Sequence, residues 1–256
     1  MLEAISQIVR QAGQIILSAH DIQNSVSEKQ GIGNFVTTYD VKVQNFLQEK
    51  LLALAPDAHF VGEEEDTHAD VLTGLAFIVD PIDCTANFVR GMKHSAVSVG
   101  VAQDGVLQMG VVYNPYRDEL FSGKKGCGAT RNGQPIHVSD RPLSEGVFCF
   151  GTAPYDRSLR EHTFRIASRL MERMQDLRRF GSAALDLCDV ACGRVDLGFE
   201  CILQPWDYAA GALIVAEAGG IVTQLDGSPI TLNRPCSIIS GNPLTHKTFI
   251  DEKLFV

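Results

Sequence analysis

The sequence predicts a mixed α/β protein in two halves that divide near residue 142. Two patterns carry that prediction. Between residues 96 and 138, short apolar runs alternate with tight-turn signals, which marks a meandering and mainly antiparallel sheet. From Gly146 onward, strand-length and helix-length apolar patterns alternate instead, as in an α/β unit. A chain of 256 residues suffices for one large domain or two closely packed halves, and 45% hydrophobic residues with 21% charged supports a sizeable core. We expect one compact unit, with residues 1–142 as an N-terminal α+β half and residues 143–256 as a C-terminal α/β half.

The elements follow in order. Leu2, Ile5, Ile8, Val9, Ala12, Ile15, Ile16 and Ala19 form one helical stripe, so residues 2–19 read as an amphipathic helix. Residues 26–33 are polar and read as a loop with short extended flanks. Thr37 or Thr38 is a suitable N-cap for a second helix reaching Leu54, with Val43, Phe46, Leu47, Leu51 and Leu54 as its apolar face. Asp40 falls in its first turn, where negative charge is favoured, and on spacing alone capping explains it best. After Pro56-Asp57, residues 59–62 form a short strand that runs into Glu63-Glu64-Glu65-Asp66. Most acidic runs are solvated loops.

Residues 75–79 are a short, partly β-branched apolar run and read as a buried strand. Pro81 removes a backbone donor and is expected to stop the strand there. Asp80 and Asp83 then stand at its C-terminal end, and Cys84-Thr85-Ala86-Asn87 could open a helix whose first N–H groups lack partners. Runs at residues 96–102 and 106–113, joined by Gln103-Asp104-Gly105, predict a β-hairpin. Extended pieces follow at 119–122 and 135–138, with turns at 123–128 and Asn132-Gly133, then a linker at 139–145. The second half predicts strands at 147–150, 177–180, 195–199, 221–224 and 237–240. Helices are expected at 159–174, 182–192, 208–218 and 243–254. Glu200 is expected to close the strand at 195–199, and could equally be a surface acid.

Composition narrows the function. A formal charge of −9 and no Lys/Arg run argue against a nucleic-acid binder. The start carries no basic n-region or long apolar h-region, and no run reaches the roughly 18 apolar residues of a spanning helix, so neither a signal peptide nor a membrane span is expected. Cys84, Cys127, Cys149, Cys188, Cys192, Cys201 and Cys236 are odd in number and irregularly spaced, which reads as reduced thiols in a cytoplasmic protein.

Two neighbouring strands ending in acids could bring Glu63, Asp80 and Asp83 together, because sites gather at such strand ends. Asp207, in Gln204-Pro205-Trp206-Asp207, would lie in a helix's first turn, where the plain reading is a charge set against the helix dipole. Oxygen ligands alone select Mg²⁺, Mn²⁺ or Ca²⁺ over zinc. Gly181-Ser182-Ala183-Ala184 opens another helix, where a plain Ser cap is the simplest reading. No HExxH, CxxC, nucleophile elbow or Walker A loop is present.

Taken together, Gly62-Glu63-Glu64, Asp80-Pro81-Ile82-Asp83-Cys84-Thr85-Ala86-Asn87-Phe88 and Trp206-Asp207 resemble the inositol monophosphatase family. The likeness runs nearly end to end, including Lys29, residues 37–40, 126–133 and 181–184, and Glu217-Ala218-Gly219-Gly220. It implies an α/β (α+β) fold, the layered αβαβα sandwich shared with fructose-1,6-bisphosphatase. It also implies Mg²⁺-dependent hydrolysis of a phosphate monoester, most simply myo-inositol monophosphate, with two or three Mg²⁺ per site and Mn²⁺ as an alternative. Under the resemblance, Glu63, Asp80 and the Ile82 carbonyl hold one ion. Asp80, Asp83 and Asp207 hold a second, and Glu63 meets a weaker third through waters. Thr85 and Asp40 activate the attacking water, together with Glu63 on the metal side. Backbone N–H groups of Cys84 and Thr85 receive the phosphate, and Gly181, Ser182, Ala183 and Glu200 meet the alcohol, with Asp83 and Asp207 nearby.

A homodimer acting on a small phosphate ester, without nucleic acid or membrane, is further implied. Alternatives are a related phosphatase for fructose 1,6-bisphosphate, histidinol phosphate or 3′-phosphoadenosine 5′-phosphate, or a weakly active metal- and phosphate-binding protein. The last follows from Cys84, which stands where the family usually has glycine. A thiol at a helix N-terminus is expected to have a lowered pKa and to be sensitive to oxidation.

Overall fold

The computed structural model describes residues 1–28, 35–64 and 70–256. Lys29 and the rest of the 29–33 stretch, together with Glu65 and Asp66, lie outside the described residues.

Helix α1 (Leu2–Leu17) leads to two short paired strands, β1 (Val26–Glu28) and β2 (Phe35–Thr37), and then to α2 (Thr38–Leu54). A seven-stranded sheet follows: β3 (His59–Gly62), β4 (Leu75–Asp83), β5 (Ala96–Gln103), β6 (Val106–Asn114), β7 (Glu119–Lys124), β8 (Ala129–Arg131) and β9 (Gln134–Ile136), in that spatial order. Helix α3 (Thr85–Val89) sits between β4 and β5. Among the described residues, the β3–β4 pair alone in this sheet is parallel, and the rest is the expected meander. The Asp104-Gly105 and Asn132-Gly133 turns have positive φ at both residues, 50° and 75° and then 50° and 77°, the twist that two-residue hairpins require.

The second half runs β10 (Val147–Phe150), α4 (Arg160–Met171), β11 (Asp176–Arg178), α5 (Ala183–Ala191), β12 (Leu197–Leu203), α6 (Pro205–Glu217), β13 (Ile221–Thr223), β14 (Cys236–Gly241) and α7 (Pro243–Asp251). Its strands form a sheet in the order β11-β10-β12-β14-β13, parallel through β11, β10 and β12 and antiparallel beyond.

Strand periodicity sorts the core into layers. On β4, Phe77 and Val79 pack with α1 and α2, while Ala76 and Ile78 face α5 and α6. The other faces of α5 and α6 meet Cys149, Cys236 and Ile238 of the second sheet. Beyond that sheet, Phe148, Phe150, Phe199 and Ile239 pack with Ile166 and Leu170 of α4 and Phe249 of α7. The architecture is therefore the layered αβαβα sandwich. Helix α6 lies directly on the first sheet: a Cβ at Gly110 would come within 2.4 Å of the Ala210 carbonyl oxygen, and one at Gly100 within 2.9 Å of Ala209 Cβ.

Two strand ends differ from expectation. Pro81 does not stop β4. Pairing with β5 runs Asp80 to Ser98 and resumes at Asp83 to Ala96, so three steps on β4 answer two on β5. The extra residue is a β-bulge, and the missing Pro81 donor falls in the gap. Glu200 does not close its strand either: β12 continues to Leu203, with a register shift that begins after Glu200.

Candidate active site

The bulge in β4 decides where the acids point. In a regular strand, residues three apart face opposite sides. One inserted residue restores Asp80 and Asp83 to the same side, and the Ile82 N–H donates to Asp80 Oδ1 at 3.0 Å within the bulge. Glu63 reaches this point because β3 runs parallel to β4 with Gly62 opposite Val79, and the Glu63 N–H continues the ladder to the Val79 carbonyl at 3.1 Å. Asp207 arrives from the other half in the first turn of α6, where its Oδ2 accepts the Gln204 N–H at 2.8 Å. The close seating of α6 on β5 and β6 brings that turn down to the strand ends.

Glu63, Asp80, Ile82, Asp83, Cys84, Thr85, Gly181, Ala183, Glu200 and Asp207 line one cavity of about 120 Å³. Asp40 stands just behind it. The Thr85 hydroxyl donates to Asp40 Oδ1 at 2.9 Å, while Asp40 Oδ2 accepts the Thr37 N–H at 2.8 Å and the Thr37 hydroxyl at 2.5 Å. The capping role read from spacing is thus real, and the same carboxylate holds Thr85 with its other oxygen. Ser182 is fully buried and turns to Asp83: its hydroxyl and the Ala184 N–H, at 2.8 Å, both donate to Asp83 Oδ2. The α5 N-terminus therefore grips a carboxylate of the chain itself.

The electrostatics are those of a crowded acid cluster. Burial, and then the charges of Glu63, Asp83 and Asp207, push Asp80 well above the usual carboxylate range. Burial raises Asp83 to about 6 against its hydrogen bonds from Ser182 and Ala184, and burial with Glu63 and Asp83 raises Asp207. Asp40 is also raised, chiefly by burial. Such a set gains from a bound cation, and its donors are all oxygen, which fits Mg²⁺ better than zinc. Among the described residues, no three acid, His or Cys side chains converge on one metal point in this conformation. Asp83 and Asp207 each give one oxygen to the hydrogen bonds above and keep the other free of those contacts.

Cys84 departs from the expectation of a reactive thiol. Burial and the neighbouring Asp83 push it up to about 12, outweighing the five-residue helix behind it. Its backbone is left-handed, φ 65° and ψ 64°, the conformation a glycine adopts freely. Its sulfur packs over Gly181, where a Cβ would lie 3.2 Å from Sγ.

Several residues escaped sequence reasoning. Thr152, Pro154, Tyr155 and Arg179 also line the cavity. Gln44 is buried on α2 one turn after Asp40, and its amide pairs with both backbone groups of Glu64: Oε1 accepts the N–H at 2.8 Å and Nε2 donates to the carbonyl. A polar residue on the apolar face of α2 was the available signal for it.

Comparison with known proteins finds relatives over nearly the whole chain. The model of the inositol monophosphatase family matches residues 1–254. The chain is 31% identical over 253 residues to inositol-1-monophosphatase of Bacillus subtilis (strain 168), covering 98% of this chain and 96% of that one. Its fold superposes on extragenic suppressor protein suhB of Bartonella henselae with a TM-score of 0.89, at 33% identity and with 99% and 97% of the two chains covered. It also superposes on SaIMPase-II bound to inositol monophosphate, with a TM-score of 0.84 at 29% identity over 99% and 94%. Among the described residues, no helix is long and apolar enough to cross a membrane. The chain belongs to the inositol monophosphatase family, a family of phosphatases that act on small phosphate esters.

Proposed function

We propose that the chain hydrolyses a phosphate monoester, with myo-inositol monophosphate as the preferred substrate, in a Mg²⁺-dependent reaction. The observation that carries this reading is the single cavity in which the Glu63–Asp80–Asp83–Asp207 cluster meets the Thr85–Asp40 hydrogen bond. Glu63, Asp80, the Ile82 carbonyl, Asp83 and Asp207 would hold two or three Mg²⁺, with Mn²⁺ as a substitute. When bound, Mg²⁺ supplies charge neutralisation at the phosphate and makes water easier to deprotonate.

The protein's own groups do the rest. Thr85 gives its hydroxyl proton to Asp40, which leaves the Thr85 oxygen lone pairs to accept a proton from the attacking water. Thr37 fixes Asp40 from behind, so that Thr85 stays aligned. Cys84, Thr85 and Ala86 line the cavity at the start of α3, where first-turn N–H groups have no intrahelical acceptor, and the N–H groups of Cys84 and Thr85 would receive the phosphate. Gly181, Ala183 and Glu200 form the wall for the alcohol, while Ser182 acts through Asp83. A homodimer in the cytoplasm completes the proposal, on family likeness, and light scattering tests the assembly.

The test is phosphate release from a panel with Mg²⁺ titration: myo-inositol 1-phosphate, fructose 1,6-bisphosphate, histidinol phosphate and 3′-phosphoadenosine 5′-phosphate. Highest kcat/KM on the inositol ester, and its collapse in Asp83→Asn, is the expected result. Turnover that ignores Asp83→Asn would sink the metal assignment. The second reading, a weakly active phosphate-binding protein, has Cys84 in its favour, and Cys84→Gly gaining at least tenfold in kcat would support it.

A further inference from the structure

Asn87, on α3, is 7% exposed and does not line the active-site cavity, although Cys84, Thr85 and Ala86 immediately before it do. Its side-chain Nδ2 carries two protons and makes two hydrogen bonds, one to the His94 carbonyl and one to the Phe180 carbonyl, each at 2.8 Å. The second spans 93 positions and joins α3 to the segment between β11 and α5. The Phe180 ring reinforces it, packing against the His94 ring with centroids 5.4 Å apart.

That segment is therefore fastened on both sides of Gly181. Before Gly181, the Phe180 carbonyl is held by Asn87. After it, the Ser182 hydroxyl and the Ala184 N–H are held by Asp83 Oδ2. Gly181 itself has φ 106°, and a Cβ there would lie 3.2 Å from both Asn87 Nδ2 and Cys84 Sγ. Glycine lets the segment come this close, because its backbone adopts positive φ without strain. Gly181 and Ala183 line the same cavity as Cys84 and Thr85. Two anchors thus set the spacing between those pairs, one on Asp83 and one on Asn87. An amide suits the second anchor, because it is neutral and offers two protons from one nitrogen to two carbonyls.

We propose that Asn87 is a positioning residue: its amide fixes Gly181 and Ala183 at a set distance from Cys84 and Thr85, and that spacing selects phosphate esters whose alcohol carries hydroxyl groups. This rests on the phosphatase reading, in which the phosphate sits at Cys84 and Thr85 and the alcohol meets Gly181 and Ala183. Neither the Thr85–Asp40 bond nor the Ser182 hold on Asp83 passes through Asn87. Loss of the amide therefore appears in KM for hydroxyl-bearing esters and leaves kcat in place.

The experiment compares wild type, Asn87→Ala and Asn87→Asp at saturating Mg²⁺ on myo-inositol 1-phosphate and on p-nitrophenyl phosphate, whose leaving group has no further hydroxyl. Asn87→Ala should raise KM for the inositol ester roughly tenfold, the size of one lost buried hydrogen bond, with kcat and both p-nitrophenyl phosphate constants unchanged. Asn87→Asp keeps the volume but sets a carboxylate against two carbonyls, so it should raise that KM at least as far. Asn87→Asp that matches wild type would reduce Asn87 to filling space and overturn the proposal. Equal losses on both esters, or an unmoved KM for the inositol ester, would overturn it too. If neither variant folds, a crystal structure of the wild-type protein with myo-inositol 1-phosphate decides. Ester hydroxyls on Gly181 or Ala183, with Nδ2 on both carbonyls, support the proposal, and an ester that leaves that segment untouched overturns it. Absence of Mg²⁺-dependent release from both esters in wild type would instead refute the phosphatase reading.

Discussion

The Gln44 amide is a two-point clamp on the strand end that carries Glu63, and Gln44→Ala measures what the clamp is worth. Gln44 and Glu64 are 2% and 4% exposed, so water does not replace the lost bonds at little cost. The substitution removes the Gln44 bonds to one buried N–H and one buried C=O, each loss costing about 1–3 kcal/mol. A loss of about 2–4 kcal/mol is expected, read as a lower urea midpoint at unchanged slope. Glu63 directly precedes the clamped residue, so its orientation loosens too. If about 1.4 kcal/mol of that loss falls on the metal site, half-saturating Mg²⁺ for phosphate release rises tenfold. Gln44→Glu keeps the acceptor but not the donor and should lie between the two. Destabilisation under about 1 kcal/mol, with Mg²⁺ dependence unmoved, would refute the clamp.

Four further expectations follow from the geometry. Gly110→Ala forces a methyl against the Ala210 carbonyl, a backbone atom that cannot swing away; it should cost about 1–3 kcal/mol by chemical denaturation and weaken Mg²⁺ activation by lifting the Asp207 turn. Cys84→Gly relieves a left-handed residue worth about 1–2 kcal/mol and adds unfolded-chain freedom worth about 0.5–1, so stability should stay within about 1 kcal/mol of wild type. Mass spectrometry after iodoacetamide at pH 8 should find exposed Cys127 labelled well before Cys84. Asp196 is 1% exposed and accepts from Ser139 Oγ at 2.5 Å, Arg141 Nε at 2.8 Å and the Val147 N–H at 2.7 Å; Asp196→Ala should cost about 3 kcal/mol in thermal or urea unfolding, reduced from the fully buried case because Arg141 is half in water.

The pH expectation concerns Glu119, whose hydrogen bond from Arg194 lowers its pKa below the ordinary 4.5. A depressed carboxylate contributes stability above its unfolded pKa and loses it as pH falls through the folded value. Glu119→Gln should therefore flatten the fall in stability below about pH 4.5, and an unchanged acid slope would remove the pair from consideration.

Much was legible in the chain itself, because periodicity and turn chemistry are local. The apolar stripe of α1, the Thr37 cap, the Asp104-Gly105 and Asn132-Gly133 turns and the change from meander to alternation near residue 142 all follow from neighbouring residues. So does the list of acids that could bind a metal. What stayed hidden was direction and company. The bulge at Pro81 depends on pairing with β5, yet it alone turns Asp80 and Asp83 to one side. The thiol of Cys84 looked activated by a helix, but burial beside Asp83 acts the other way, and burial is a property of the packed whole. Gln44 on Glu64, Ser182 on Asp83 and Asn87 on Phe180 join residues 20, 99 and 93 positions apart. Sequence alone determined which elements and which chemical groups this protein has. Tertiary structure decided which carboxylates face one cavity, because orientation across a bulge and desolvation inside a layer exist only once distant strands and helices have packed.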